Sequence, residues 1–220
     1  MTRQQVIHEL TKRILSFKRD VPLRVGIDGI DAAGKTSLAN ELADELKNLG
    51  HPVLRASIDG FHKPKEIRRQ RGSLSPEGYY YDSFNYNLLT THLLQPLEPQ
   101  GNRRIRLSAF DFKTEQETAS EEQTATNDHI LIFEGVFLFR PELIRYWDVK
   151  FFVEIGFETS LNRALERDQY LFGSKGEIEK RYNERCIPGQ KIYLEAVHPQ
   201  QKADIVIDNN NFMNPAIISN

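Results

Sequence analysis

Residues 23–36 read Leu-Arg-Val-Gly-Ile-Asp-Gly-Ile-Asp-Ala-Ala-Gly-Lys-Thr. The first six are a short β-rich run of the kind that makes a buried strand. From Gly29 to Thr36 the chain fits G-x-x-x-x-G-K-[ST], the pattern of a phosphate-binding loop. Each fixed position has a physical reason. Gly29 and Gly34 let the backbone turn tightly and bring its N–H groups up to phosphate oxygens. Lys35 supplies a cation for the β- and γ-phosphates, and the Thr36 hydroxyl is a hard oxygen ligand for Mg²⁺. Leu38, Leu42, Leu46 and Leu49 then recur at helical spacing until Gly50, so the loop opens onto a helix N-terminus, whose dipole and unpaired N–H groups favour an anion. Gly29, Ala32, Ala33, Gly34, Lys35, Thr36 and Ser37 are therefore the expected nucleotide-binding set. The plainer alternative is a glycine-rich turn with an exposed lysine; the strand before and the helix after argue against it. The dinucleotide fingerprint G-x-G-x-x-G does not fit, because Gly26 and Gly29 are followed next by Gly34.

Strands and helices alternate outward from this stretch. Val6, Leu10, Ile14 and Phe17 mark an amphipathic helix over 4–18, ended by Pro22. Further strands are expected within 51–58 and over 129–133, 149–155 and 203–207. A helix is expected over 158–171, then a break at Gly173-Ser174-Lys175-Gly176 and polar helical stretches. Residues 61–81 read as irregular. Asp82 is expected to cap a helix through Leu88, Leu89, Leu93 and Leu94. The alternation of Ile105, Leu107 and Ala109 predicts one strand over 103–112. Residues 113–128 have no apolar face and read as an exposed loop, and the polar tail after Asn209 reads as loose. The pattern predicts an α/β, three-layer fold: a mostly parallel sheet with helices on both faces.

Composition bounds the function. The chain has 220 residues, 39% hydrophobic and 27% charged, with a net charge of −2. That length supports a real core and one domain. No run of about 18 apolar residues exists, so no membrane span is expected, and the first residues lack the apolar core of a secretory signal. A slightly acidic chain is a poor fit for general nucleic-acid binding. The one cysteine, Cys186, can build neither a disulfide nor a thiolate zinc site, and a reducing cytoplasm is the expected compartment.

In an open parallel sheet, ligands gather outside the carboxyl ends of the strands. Asp59 and Glu134 both lie at such ends, as does the phosphate loop. Alone, Asp59 is a turn residue of an Asp-Gly pair and Glu134 a loop carboxylate; their convergence with the loop argues a site. The Asn-Lys pair of a guanine reader and the Ser-Gly-Gly signature of transporter ATPases are both missing from the sequence.

Four segments carry a family resemblance. Gly26-Ile27-Asp28-Gly29, Ile58-Asp59-Gly60-Phe61-His62, Ile132-Phe133-Glu134-Gly135-Val136 and Lys202-Ala203-Asp204-Ile205-Val206-Ile207 resemble the uridine kinase and phosphoribulokinase family, over roughly residues 20–208. The resemblance implies a P-loop NTPase fold, with ATP and Mg²⁺ as cofactors. It implies Asp59 as the base for an acceptor hydroxyl, and Glu134, beside Thr36, near Mg²⁺. Phe110-Asp111-Phe112 resembles the Tyr-Asp-Phe segment where uridine kinases hold the nucleoside. Leu161 to Asp168 resembles the start of the lid, whose arginines meet the phosphates. Arg163 and Arg167, four apart on one helix face, are its candidates; Arg181 and Arg185 are weaker ones. The alternative for each is a solvated surface or a salt bridge to a nearby acid. The implied layout is a single kinase domain over 1–220, with an acceptor-site insertion at about 60–82, an exposed loop at about 113–128 and a lid at about 163–187.

The acceptor side departs from uridine kinases. Glu115 and Glu117 stand where those carry a histidine and an arginine, Gly173-Ser174-Lys175-Gly176 replaces an Arg-Gly-Arg, and Pro76 to Tyr81 replaces a Phe-Asp pair. The expected substrate set is His62, Tyr79, Tyr80, Phe110 and Asp111. His62 lines the acceptor site or is a plain loop histidine, and the tyrosines stack on a ring or pack under the loop. The basic stretch from Lys63 to Arg71 serves RNA or a phosphate of the substrate; a local acceptor pocket is the simpler reading, because it directly follows Asp59. The expected reaction is phosphoryl transfer from ATP·Mg²⁺ to an alcohol of a small molecule, a nucleoside first. A kinase of another acceptor (pantothenate, nicotinamide riboside or a sugar) and a non-catalytic nucleotide-binding protein stay open. A small-molecule substrate is the expected partner, with no membrane and no nucleic acid; a homo-oligomer is left open.

Overall fold

The computed structural model describes residues 1–118 and 120–218, with only the backbone at 171 and 172. The chain opens with helix α1 (Arg3–Ser16), whose first turn is closed by a reciprocal Thr2–Gln5 capping box. Strand β1 (Leu23–Gly29) is buried along its whole length and runs into helix α2 (Lys35–Asn48). Strand β2 (Val53–Ser57) ends in a 3₁₀ turn at Ile58–Phe61. Three short helices follow, α3 (Lys65–Arg68), α4 (Pro76–Asp82) and α5 (Tyr86–Leu89). The small strands β3 (Arg104–Ile105), β4 (Phe110–Asp111), β5 (Gln116–Glu117) and β6 (Gln123–Thr124) come next. After them β7 (Ile130–Glu134) and β8 (Val149–Glu154) return to the main sheet. Helices α6 (Phe157–Arg167), α7 (Gln169–Phe172), α8 (Lys175–Arg181), α9 (Ile187–Val197) and α10 (Pro199–Lys202) precede β9 (Ile205–Asp208) and β10 (Ala216–Ile218).

The main sheet has the order β10-β9-β8-β1-β7-β2, all parallel except β10. Alternation along β7 shows why both faces are covered. Ile130 and Ile132 join α1 and α2 in one core, with Val6, Leu10, Leu38 and Leu42. Leu131 and Phe133 join the other, with Phe137, Leu93 and Tyr193. A parallel strand buried on both faces reads as a continuous apolar run. The register sets Glu134 opposite Ile27 and Ser57, so the carboxyl ends of β1, β2 and β7 open on one edge.

The α/β sheet and its main strands match the expectation; six local readings do not, the first being 61–81, which holds α3 and most of α4 rather than irregular chain. The single strand over 103–112 is two short pieces in different small sheets, β3 paired with β6 and β4 with β5. Residues 113–128 accordingly hold strands as well as loop. Asp82 is the last residue of α4 rather than a cap; Asn85 caps the next helix, accepting from the Leu88 N–H. The helix expected over 158–171 breaks at Asp168, and the tail after Asn209 returns as β10.

Candidate active site

An open cleft of about 1170 Å³ lies at the carboxyl ends of β1, β2 and β7. Ala32, Gly34, Lys35, Thr36 and Ser37 form one wall. Gly29 and Ala33 stand behind it, Gly29 as the end of β1 and Ala33 fully buried. Gly34 is held at φ +93°, where a side chain would bring its Cβ within 2.6 Å of Asn209 Nδ2. That amide in turn donates to the Ala33 carbonyl at 2.7 Å. Only glycine fits this combination of angle and close approach. Lys35, 8% exposed, donates from its ammonium across the loop to the Ile30 carbonyl at 2.7 Å.

Two carboxylates that the motif did not single out hold the loop in place. Asp28 is fully buried and accepts from the Gly29 N–H at 2.7 Å, the Phe139 N–H at 3.2 Å and the Tyr193 hydroxyl. Burial outweighs those bonds and pushes its carboxyl up to about 6. Asp31 accepts from the Tyr79 hydroxyl at 2.8 Å and the Gln190 amide at 2.6 Å, while its carbonyl accepts from Ser160. The loop is therefore tied to α4, α6 and α9 through one residue. A charged residue inside an apolar strand was the readable signal for Asp28; Gln190 carried none.

The expected carboxylates converge on the cleft. Glu134 accepts from the Thr36 hydroxyl and from Arg55, each at 3.3 Å. Asp59 sits in the 3₁₀ turn after β2, its N–H donating to Ser57 Oγ at 3.2 Å. Asp59 is exposed and lines the open cleft. Its pKa is pushed up to about 7, first by desolvation, then by the Glu134 and Asp31 carboxylates, with Lys35 and Arg167 opposing. Thr36 and Glu134 offer one hydroxyl and one carboxylate, both hard oxygens. Among the described residues no group of three or more His, Cys, Asp or Glu could hold a metal. This donor set fits Mg²⁺, which keeps most of its shell as water and phosphate oxygen.

On the acceptor side, His62 lines the cleft between Phe84 and Phe112, ring centroids at 4.6 and 5.0 Å. Its Nδ1 lies 3.0 Å from the Asp59 carbonyl, and desolvation lowers its pKa to about 4, so the ring is neutral at ordinary pH. Tyr79 also lines the cleft. Three expected substrate residues do not. Tyr80 turns into the core against Phe137, Phe110 is buried, and Asp111 closes a turn by accepting from the Lys113 N–H at 2.8 Å. Phe112, Lys113 and Glu115 reach the cleft instead.

The lid arginines divide. Arg163 lines the cleft and donates to the carbonyls of Ala32 and Asn209 at 3.3 and 2.7 Å. Arg167 also lines it, paired with Asp168 at 2.5 Å, which in turn accepts from Tyr182. Arg181 lines the cleft too, whereas Arg185 is buried and donates to the carbonyls of Ser73 and Ser75.

The sequence profile of the phosphoribulokinase/uridine kinase family matches residues 25–213. The chain belongs to this family. It is a small-molecule kinase. A uridine kinase from Lactobacillus johnsonii is 25% identical over 188 residues, covering 84% of this chain and 86% of that one. A uridine kinase from Lactobacillus helveticus is 28% identical over 211 residues, covering 87% and 93%. The solved structure of a possible uridine kinase from Bacillus stearothermophilus superposes with a TM-score of 0.72 at 25% identity, covering 92% of this chain and 97% of that one. The family's P-loop kinase core agrees with the parallel sheet and its loop. No helix among the described residues is long and apolar enough to cross a membrane.

Proposed function

We propose that the cleft transfers a phosphoryl group from ATP·Mg²⁺ to an alcohol of a small molecule. One observation carries the reading: the Asp59 carboxylate shares the cleft with Lys35 of the phosphate loop and with Glu134. Bound ATP·Mg²⁺ would supply the phosphoryl group, and the metal would neutralise part of its charge. Thr36 and Glu134 would hold the metal, and Lys35 with the loop N–H groups would hold the phosphates. Asp59 orients the acceptor hydroxyl and takes its proton. Arg163 and Arg167 add positive charge from the lid side. Catalysis of this kind is positioning and electrostatics rather than covalent chemistry. A nucleoside is the first acceptor, because the relatives are named for uridine. A second reading keeps the reaction and changes the acceptor to pantothenate, nicotinamide riboside or a sugar. The pairing of Glu115 with Arg68 favours it, since that carboxylate is engaged by the protein.

The test is ADP release from ATP·Mg²⁺ against nucleosides, pantothenate, nicotinamide riboside and sugars, with Asp59→Asn as the control. Turnover is expected on one acceptor class. Asp59→Asn should cut kcat by about 10²- to 10⁴-fold, the usual worth of a general base, with ATP still bound. ATP binding with no turnover on any acceptor would favour a non-catalytic nucleotide-binding protein.

A further inference from the structure

Beyond Asp59, the cleft wall is strongly positive. Lys65, Arg68 and Arg69 come from α3 and its end, and Lys113 from the turn after β4; all four line the cleft. Glu66 lies between Lys65 and Arg68 on α3 itself, and Asp111 lies two residues before Lys113, but the carboxylate that pairs with an α3 side chain is Glu115. Its oxygens are taken by the Lys65 backbone N–H at 3.0 Å and by the Arg68 guanidinium. Arg68 is further tied to the Lys63 carbonyl at 2.7 Å. These bonds fasten α3 to the β4–β5 turn. The side chains of Lys65 and Arg69 have no ion-pair partner among the described residues, and Lys113 lies over the Tyr170 ring at 5.9 Å.

Lys65 and Arg69 stand four residues apart, a like-charge spacing that disfavours a helix in water. A neutral acceptor offers these cations only dipoles, whereas an anion adds a full opposite charge to each hydrogen bond. The phosphates of ATP have their own cation, Lys35, in the loop, and Arg163 against it. We propose that the acceptor alcohol carries an anionic group, a carboxylate or a phosphate, which Lys65, Arg69 and Lys113 hold while Asp59 faces its hydroxyl. The inference rests on the kinase reading and selects the acceptor within it.

The experiment compares matched pairs: glycerol with D-glycerate, and ribose with ribose 5-phosphate, beside uridine. Binding is measured by calorimetry with a non-hydrolysable ATP analogue and Mg²⁺ present, and turnover by ADP release. At least one charged member should bind about tenfold or more tightly than its uncharged partner, the factor one charge-assisted hydrogen bond supplies. Preference for glycerate assigns a carboxylate, and preference for ribose 5-phosphate a phosphate. The Lys65→Gln/Arg69→Gln double variant, altered only at exposed side chains, should erase most of that preference. Equal binding within both pairs, a preference the double variant keeps, or better turnover of uridine or another uncharged member would each overturn the proposal. A charge preference in binding with no turnover on any acceptor would sustain the anion subsite and overturn the kinase reading instead.

Discussion

Asp59 can accept a proton only when it is ionised, and its surroundings set where that happens. Desolvation and two neighbouring carboxylates hold its pKa at about 7. Below that pH the carboxyl is protonated and cannot act as a base. We expect kcat/KM to fall tenfold per pH unit below about pH 7 and to level off above it, because this parameter reports ionisations of the free enzyme. A profile flat down to about pH 5.5 would remove Asp59 from the base role. Asp59 and Glu134 were legible because strand ends and a phosphate loop must meet on one edge of a parallel sheet. Their neighbours were not, for a local reason. Tyr79, Tyr80 and Tyr81 follow one another in α4, about 100° apart around its axis. Helix phase alone sends Tyr79 to the cleft, Tyr80 to the core and Tyr81, 48% exposed, to solvent. Sequence shows three tyrosines and no phase. Asp111 likewise ends the strand period by accepting from Lys113, so Phe112 reaches the cleft while Phe110 stays buried.

Helix pairing gives Tyr79 its direction. α4 and α9 lie against each other at Gly189, where a Cβ would come within 2.9 Å of both the Pro76 carbonyl and the Tyr79 ring. Gly189→Val should wedge the helices apart and loosen the Tyr79–Asp31 bond. Overpacking of this sort costs about 1–3 kcal/mol, measurable by urea unfolding, and a variant within about 0.5 kcal/mol of the parent would show that the contact yields. This pairing was invisible in the sequence, because 61–81 lacks an apolar period long enough to announce a helix. The longer elements were legible: α2 has its leucine repeat, and β7 its unbroken apolar run. The two-residue strands β3 to β6 were not, since alternation over 103–112 is the same whether one strand or two short ones form. β10 hid for a related reason: an exposed antiparallel edge strand needs no apolar run.

Over the whole molecule, Asp28 joins the layers: it is buried in β1, bonds the loop entry at Gly29, the segment after β7 at Phe139 and α9 at Tyr193. Its folded pKa, about 6, lies above the usual 3.8. Between these values the folded state binds more protons than the unfolded chain, so stability from this group is full below about pH 4 and is lost as pH rises through 6. A difference of that size between folded and unfolded chains corresponds to on the order of 3 kcal/mol. Asp59 acts in the same sense, but water reaches its side chain and weakens the effect. His62 acts in the opposite sense: lowered to about 4 from its ordinary 6.5, it contributes stability above 6.5 that is lost as pH falls through 4. The opposing slopes mean that the parent's own stability curve identifies none of the three groups. A difference does. Asp28→Asn removes the titration and leaves a constant offset from the donors it no longer meets. Relative to the parent, the variant should therefore gain stability as pH rises from about 4 to about 7, by on the order of 3 kcal/mol in urea unfolding. A pH-independent difference would show that Asp28 folds with its charge already compensated, and that its three donors offset the cost of burying it in the sheet.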